Sequence, residues 1–293
     1  MSDSAIGPSL SATLVTDRLD TCVAAWAGFL DHHPGAESPL PDGTARRWTA
    51  PRLSGARSVW LHNALGEPWL RLVEDEVATP RPPFRHPGWQ ALEIAVADVD
   101  GLARHLAGSP FTCLGEPANL DVSDAIRAMQ VLGPAGEVLY LTEVRDAVPG
   151  FELPVARCPV DRLFIPVLLA PDRASASACY GALGGPAPLN FDTRIGVLNR
   201  ARGLAADTRH PVATLQLAGA NLIEIDEVPG LPGPAAGLPP GIASVAFAAP
   251  SQTVPANADG YLGKGIDEDA PYAGHSAYSF RGAAGEHFEL IEH

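Results

Sequence analysis

The sequence predicts an α+β protein in which one strand–helix–strand–strand–strand unit is used four times. Three observations carry this. First, an apolar–X–apolar triplet closes four separate stretches: Leu70-Arg71-Leu72, Leu139-Tyr140-Leu141, Ile223-Glu224-Ile225 and Phe288-Glu289-Leu290. Second, two of these follow nearly the same turn, GPAGE at 133–137 and GAAGE at 282–286. A Gly/Pro turn before an alternating apolar run is the mark of a hairpin and its return strand. Third, breakers cluster between units, with Pro149, Gly150, Pro154 and Pro159 inside Val148–Asp161 and a second rich stretch at Pro229–Gly241. The first cluster predicts a boundary between two domains, 1–147 and 157–293, with units one and two in the first and three and four in the second.

In the first unit, Ser9–Thr16 alternates as a strand. Asp17 is placed to cap a helix carrying Leu19, Val23, Trp26 and Leu30 at steps of three and four. A Pro/Gly-rich loop from Pro39 to Gly55 leads to a hairpin of Ser58–His62 and Trp69–Val73. The second unit opens on Trp89–Ala97, the cleanest strand pattern in the chain. Asp98 or Asp100 caps a short helix, and Ile126–Leu132 with Glu137–Val144 closes the unit. The third has a strand at Leu163–Ala170 interrupted by Pro166, a small-residue helix at Asp172–Leu183, and strands at Ile195–Asn199, Val212–Leu217 and Asn221–Ile225. The fourth has strands at Ile242–Ala248, His275–Phe280 and Glu286–Ile291, with a poor helix over Gln252–Gly265.

Composition narrows the partners. The chain has 293 residues, 46% of them hydrophobic and 18% charged, which fits a soluble globular protein with a sizeable core. A net charge of −14 argues against nucleic acid or an anionic membrane as partner and leaves neutral or cationic small molecules open. The N-terminal MSDSAIGPSLSATLV has no basic start followed by an apolar core, and no run approaches transmembrane length, so the expected location is cytoplasmic. Cys22, Cys113, Cys158 and Cys179 form no CxxC pair and read as reduced thiols. Oligomeric state is left open, a homodimer included.

The unit pattern resembles the vicinal oxygen chelate superfamily, which includes glyoxalase I, the extradiol dioxygenases and the bleomycin-resistance proteins. The carrying residues are LEIAVADVD (Leu92–Asp100), Cys179-Tyr180 and Leu183-Gly184 after Asp172, and the closing strands Gly133–Leu141 and Gly282–Leu290. The resemblance implies two cup-shaped mixed sheets, each made by two modules, with the ligand inside the cup. It also implies metal ligands early in each first strand and at the X of each triplet. The first-strand positions fall near Leu10, Ala91, Ile165 and Ala243 or Ser244, none of them His, Gln or Glu. A two-His, one-carboxylate ferrous site is therefore not offered at matching places.

The triplet positions hold Arg71, Tyr140, Glu224 and Glu289. Glu224 and Glu289 are the expected pair in the cup of the second domain. They would act as general acid and base or as ligands of a weak divalent metal, completed by water, His275 or His287; rim carboxylates on solvated strands are the alternative. Glu93 stands between Ala91 and Ala95 on one strand face, which leaves room for a ligand, or simply faces water. Arg71 could hold an anionic group and Tyr140 donate a proton, in the first cup, with His62 on the neighbouring hairpin reaching the same space. Cofactor expectations are none or a weakly bound divalent metal. Two functions compete: a glyoxalase- or dioxygenase-like enzyme acting on a small oxygenated or carbonyl compound, and a non-catalytic protein that sequesters a small, cationic drug or metabolite.

Overall fold

The computed structural model describes residues 6–121, 123–234, 237–250 and 258–292. Module 1 supplies β1 (Ser9–Thr16), α1 (Leu19–Phe29), β2 (His33–Pro34), β3 (Ser38–Pro39), α2 (Asp42–Arg47), β4 (Arg57–His62) and β5 (Pro68–Glu74). Module 2 supplies β6 (Gly88–Val96), α3 (Val99–Leu106), β7 (Thr112–Leu120), β8 (Ser123–Leu132) and β9 (Val138–Val144). Module 3 supplies β10 (Val160–Ala170), α4 (Arg173–Ala182), β11 (Leu189–Arg194), α5 (Gly196–Arg202), β12 (Arg209–Leu217) and β13 (Asn221–Glu227). Module 4 supplies β14 (Gly241–Ala249), β15 (Tyr261–Ile266), β16 (Ser276–Arg281) and β17 (His287–Glu292). The repeated α+β unit read from the triplets is present, and the four modules form two curled mixed sheets.

The modules pair differently from the sequence expectation. Modules 1 and 4 build one sheet, ordered β15-β16-β17-β14-β1-β5-β4-β2 with β3 beside β4. Modules 2 and 3 build the other, ordered β11-β12-β13-β10-β6-β9-β8-β7. These are called here the terminal and the central sheet. The joints are antiparallel ladders between first strands, β1 with β14 and β6 with β10. Breakers at Val148–Asp161 therefore mark a link inside the central sheet, where Ala97 N–H donates to the Pro159 carbonyl, rather than a division between two folded halves.

The expected partners do meet, but back to back. Each Gly turn holds a helix of the preceding module. The Trp26 indole of α1 donates to Glu137 Oε1 at 3.1 Å, and the Tyr180 hydroxyl of α4 donates to Glu286 Oε1 at 3.0 Å. Both glutamates also close their own turns, accepting from Ala135 N (2.8 Å) and Ala284 N (2.9 Å), with Gly136 and Gly285 in the left-handed region at φ 83° and 79°. One continuous apolar core then runs between the sheets, from Leu14, Leu92 and Ile94 to Leu168, Val245 and Phe247. Burial of that shared face is what joins the four modules.

Several local expectations change. Asp98 and Asp172 do cap α3 and α4, accepting from Gly101 N at 2.8 Å and Ser175 N at 2.6 Å. Asp17 does not cap α1, whose first residue follows Arg18. Ile195–Asn199 lies mostly in helix α5, not a strand, because Val197 and Leu198 pack on the central sheet and Gly203 ends the turn at φ 68°. Strand β10 continues through Pro166, with its ladder to β6 shifting register on either side, and α2 appears within the stretch read as loop. Of the poor helix expected at Gln252–Gly265, residues 252–257 lie outside the described residues, and Tyr261–Ile266 is strand β15. Among the described residues no helix is long and apolar enough to cross a membrane.

This topology changes what proteolysis should show. Residues 149–153 are mostly exposed, whereas Arg157 and Asp161 are tied to module 1 through Glu67 and Asn63. A cut near Gly150 should leave both fragments joined through the β1–β14 and β6–β10 ladders. Nicked protein should elute at the intact size on gel filtration and separate only in denaturant; fragments that separate in native buffer would contradict the cross-paired sheets.

Candidate active site

Each sheet curls around a concave face, and the two faces differ. In the central sheet a row of polar side chains crosses the floor from strand to strand. Thr214 of β12 lies opposite Glu224 of β13, and Glu224 lies beside Val167 of β10. Ile165 of β10 lies opposite Glu93 of β6, Glu93 beside Tyr140 of β9, and Tyr140 opposite Gln130 of β8. Above this row is a cavity of about 860 Å³ lined by Glu93, Gln130, Tyr140, Thr214 and Glu224. Its walls are largely apolar, with Phe151 and Phe191 toward one side and α5 across the top.

Strand alternation places these groups. Ala91, Glu93 and Ala95 share the concave face of β6, while Leu92, Ile94 and Val96 enter the core. The same period puts Leu222, Glu224 and Asp226 on one face of β13. Glu93 is buried, and its Oε1 accepts from the Thr142 hydroxyl at 2.6 Å. Burial, followed by repulsion from Glu224, pushes its carboxyl up to about 8 against the Thr142 bond. Glu224 is half-buried, and burial lifts it to about 7. Asp226 is fully buried beside Glu224, with which it shares a carboxyl–carboxyl hydrogen bond, and burial together with Glu224 raises it well above the usual carboxylate range. The Tyr140 hydroxyl is buried and also lacks a partner. Burial and the charges of Asp226, Glu224 and Glu93 hold it protonated.

The terminal sheet's concave face is filled by the protein itself. Arg47 of α2 donates from Nε to Glu289 Oε1 at 3.0 Å and from Nη2 to Asp267 Oδ2 at 3.1 Å. Ser279 Oγ also donates to Glu289 Oε1, at 3.1 Å. Arg71 pairs with Asp269 and stacks on Trp60, 4.6 Å from the ring centre, with Trp48 at 5.7 Å. Burial acts to raise Glu289, but the charges of Arg47 and His287 hold it below its ordinary value. This carboxylate is committed to a partner.

The expected Glu224–Glu289 pair is therefore not a pair. The two lie in different sheets, because modules 3 and 4 do not share one. Glu224 faces Glu93 and Tyr140, and Glu289 shares its cup with Arg71. No metal or acid–base step can use Glu224 and Glu289 together. His62 sits at the end of β4 beside Gly35, half-buried and away from the central cavity. His275 Nδ1 lies 2.7 Å from the Glu292 carbonyl, and His287 Nδ1 lies 2.8 Å from Ser244 Oγ. Sequence reasoning missed Asp226, Thr142 and Arg47. The period of two on β13 could have found Asp226, whereas nothing in the Pro/Gly-rich loop marked Arg47.

Comparison with known proteins places this geometry. No family model and no curated protein matches the chain. Among solved structures, a point mutant of glyoxalase I from Zea mays aligns with a TM-score of 0.68 at 16% identity, covering 99% of this chain and 94% of that one. Glyoxalase I from Zea mays aligns at 0.63 and 16%, covering 97% and 92%. A proposed dioxygenase from Bacillus subtilis aligns at 0.62 and 12%, covering 99% and 86%. The chain has the vicinal oxygen chelate fold. At these identities the likeness extends to the fold and not to the chemistry. The fold family implies a metal in the cup, and the central floor does not fit one. It presents two glutamates that keep or share protons near neutrality and a phenol, and among the described residues no three His, Cys, Asp or Glu side chains converge on a common point.

Proposed function

We propose that the chain binds a small organic compound in the cup of the central sheet, and that Glu93 and Glu224 exchange protons with it. The observation carrying this reading is the cavity of about 860 Å³ whose floor holds two carboxyls, Glu93 and Glu224, both raised by burial toward neutrality. With Glu93 near 8 and Glu224 near 7, the state at pH 7.5 is a protonated Glu93 beside an ionised Glu224. Such a pair can remove a proton from carbon next to a carbonyl while donating to the oxygen that gains charge. Tyr140 remains protonated and supplies a second donor. The chemistry is enolising proton transfer of the glyoxalase-like kind on a small oxygenated or carbonyl compound.

The test is exchange of protons α to a carbonyl. A panel of small ketones and 2-oxo compounds in D2O, followed by NMR, should show deuterium entering at least one member. The rate should peak between about pH 7 and about pH 8, since it requires Glu224 ionised and Glu93 protonated. Glu224→Gln should slow exchange by roughly 100-fold or more. Exchange that ignores this substitution would remove Glu224 from the mechanism. The sequestering reading is favoured by the unpartnered Tyr140 hydroxyl beside the cavity, which suits a ligand held in place. It predicts tight binding with no exchange in either protein.

A further inference from the structure

We infer that the ligand of the central cup carries a protonated amine, with its ammonium group at the floor and an apolar body toward the mouth. This rests on the reading of that cup as the binding site. The floor is acidic without an internal counter-charge: Glu93 and Glu224 line it, and the buried Asp226 stands two residues along β13 from Glu224, carboxyl to carboxyl. The cavity's arginines do not reach the floor in a free state. Arg194 is exposed and donates to Asp121, and Arg200 is exposed and donates to the Leu114 carbonyl, each at 2.6 Å. Tyr140 gives an independent sign of a missing group, since its side chain lines the cavity, is more than nine-tenths buried and leaves its hydroxyl without a partner.

The same floor suits an ammonium better than a metal ion. Its oxygens are spread along a strand-to-strand row and do not converge on one point. An ammonium needs fewer and longer contacts than a metal ion, so one or two of Glu93, Glu224 and the Tyr140 oxygen suffice as its acceptors. Above them the walls turn apolar, with Leu114, Ile126, Leu153 and Ile165 beside Phe151 and Phe191. An amphipathic amine matches that division, its cation also drawn to aromatic faces.

Binding has a proton signature. Near neutrality Glu93 holds its proton and Glu224 is partly protonated, so an arriving ammonium turns carboxyl into carboxylate and the displaced proton passes to the buffer. The remaining charges facing the site are Asp226 below the floor and Glu116, Asp121, Arg194 and Arg200 at the mouth. A neutral ligand leaves these protons in place.

The experiment is calorimetric titration of the full chain at pH 7 with arylalkylamines and neutral ketones of matched length, in phosphate and in Tris, whose ionisation heats differ. Amines should bind, release about one proton each, and lose at least roughly tenfold in affinity in Glu93→Gln and Glu224→Gln. An unchanged far-UV circular dichroism spectrum and gel-filtration volume in those variants serve as the control for folding. Ketones that bind as well as amines, with no proton release, would overturn the amine and leave the cup standing. No binding of either class would overturn both. Stoichiometric Mn2+ or Mg2+ binding abolished by Glu224→Gln would replace the ammonium with a metal.

Discussion

Raising the pH from about 5 to about 8 is expected to lower the melting temperature by at least roughly 10 °C. Most globular proteins are instead most stable near neutrality. The cause is the number of carboxyls held above their ordinary values in the folded chain. Burial puts Glu93 near 8 and Glu137, Glu224 and Glu286 near 7, against an ordinary 4.5, and raises Asp226 and Asp267 as well. A carboxyl whose folded value is raised binds its proton more tightly when folded. It adds stability below the unfolded value, and that stability is lost as pH climbs to the folded value. For Glu93 the loss is on the order of 5 kcal/mol, and for Glu137 and Glu286 on the order of 3 kcal/mol each.

Four histidines lowered by burial act in the opposite sense, His86 and His210 along with His32 and His287. His32 and His287 are pushed down to about 4, chiefly by burial, so they cost stability as pH falls from 6.5 toward 4. Between pH 4.5 and 6.5 the six raised carboxyls outweigh them, and above 6.5 only the carboxyls still change. The balance therefore falls throughout the window. Thermal denaturation at fixed ionic strength from pH 5 to 8 checks this, and a melting temperature that rises with pH would refute it. Glu137→Gln should flatten the profile, because an amide cannot ionise. It would keep an oxygen for only one of the two donors, the Trp26 indole and Ala135 N–H.

These carboxyls show what the sequence could reveal. The GPAGE and GAAGE turns were visible as repeats, and with the triplets they gave four modules and the closing strands almost to the residue. Which modules share a sheet was not visible. Each first strand has an edge that any other first strand could pair with, and β1, β6, β10 and β14 carry no register mark that selects one partner. The choice is made by the core behind the sheets, where α1 packs under the module 2 turn and α4 under the module 4 turn. That error carried into the site: Glu93, Glu224 and Tyr140 were each singled out, but Glu224 was given Glu289 as its partner. The Ile195–Asn199 segment was misread because a short apolar run fits a strand or a buried helix equally well.

Arg47→Met is the substitution expected to cost most. Arg47 is buried and holds two buried carboxylates, Glu289 and Asp267, from a six-residue helix that packs against β15. Removing it leaves both acids without their shared cation, and breaking a buried ion pair from one side typically costs 3–5 kcal/mol. That corresponds to a drop of roughly 6–15 °C in a chain of this size. The penalty should grow with pH, since the abandoned carboxyls escape it by taking up protons. Arg47→Met combined with Glu289→Met should recover part of the loss, because the pair's Coulomb attraction scarcely exceeds what two charges lose on leaving water. Ligand affinity in the central cup should stay within about twofold of the parent, since mutations at distant sites that share no partner act independently. If the single variant melts like the parent, Arg47 is not what seals the terminal cup. Loss of central-cup binding in a variant that remains folded would mean that the two cups are coupled through the shared core.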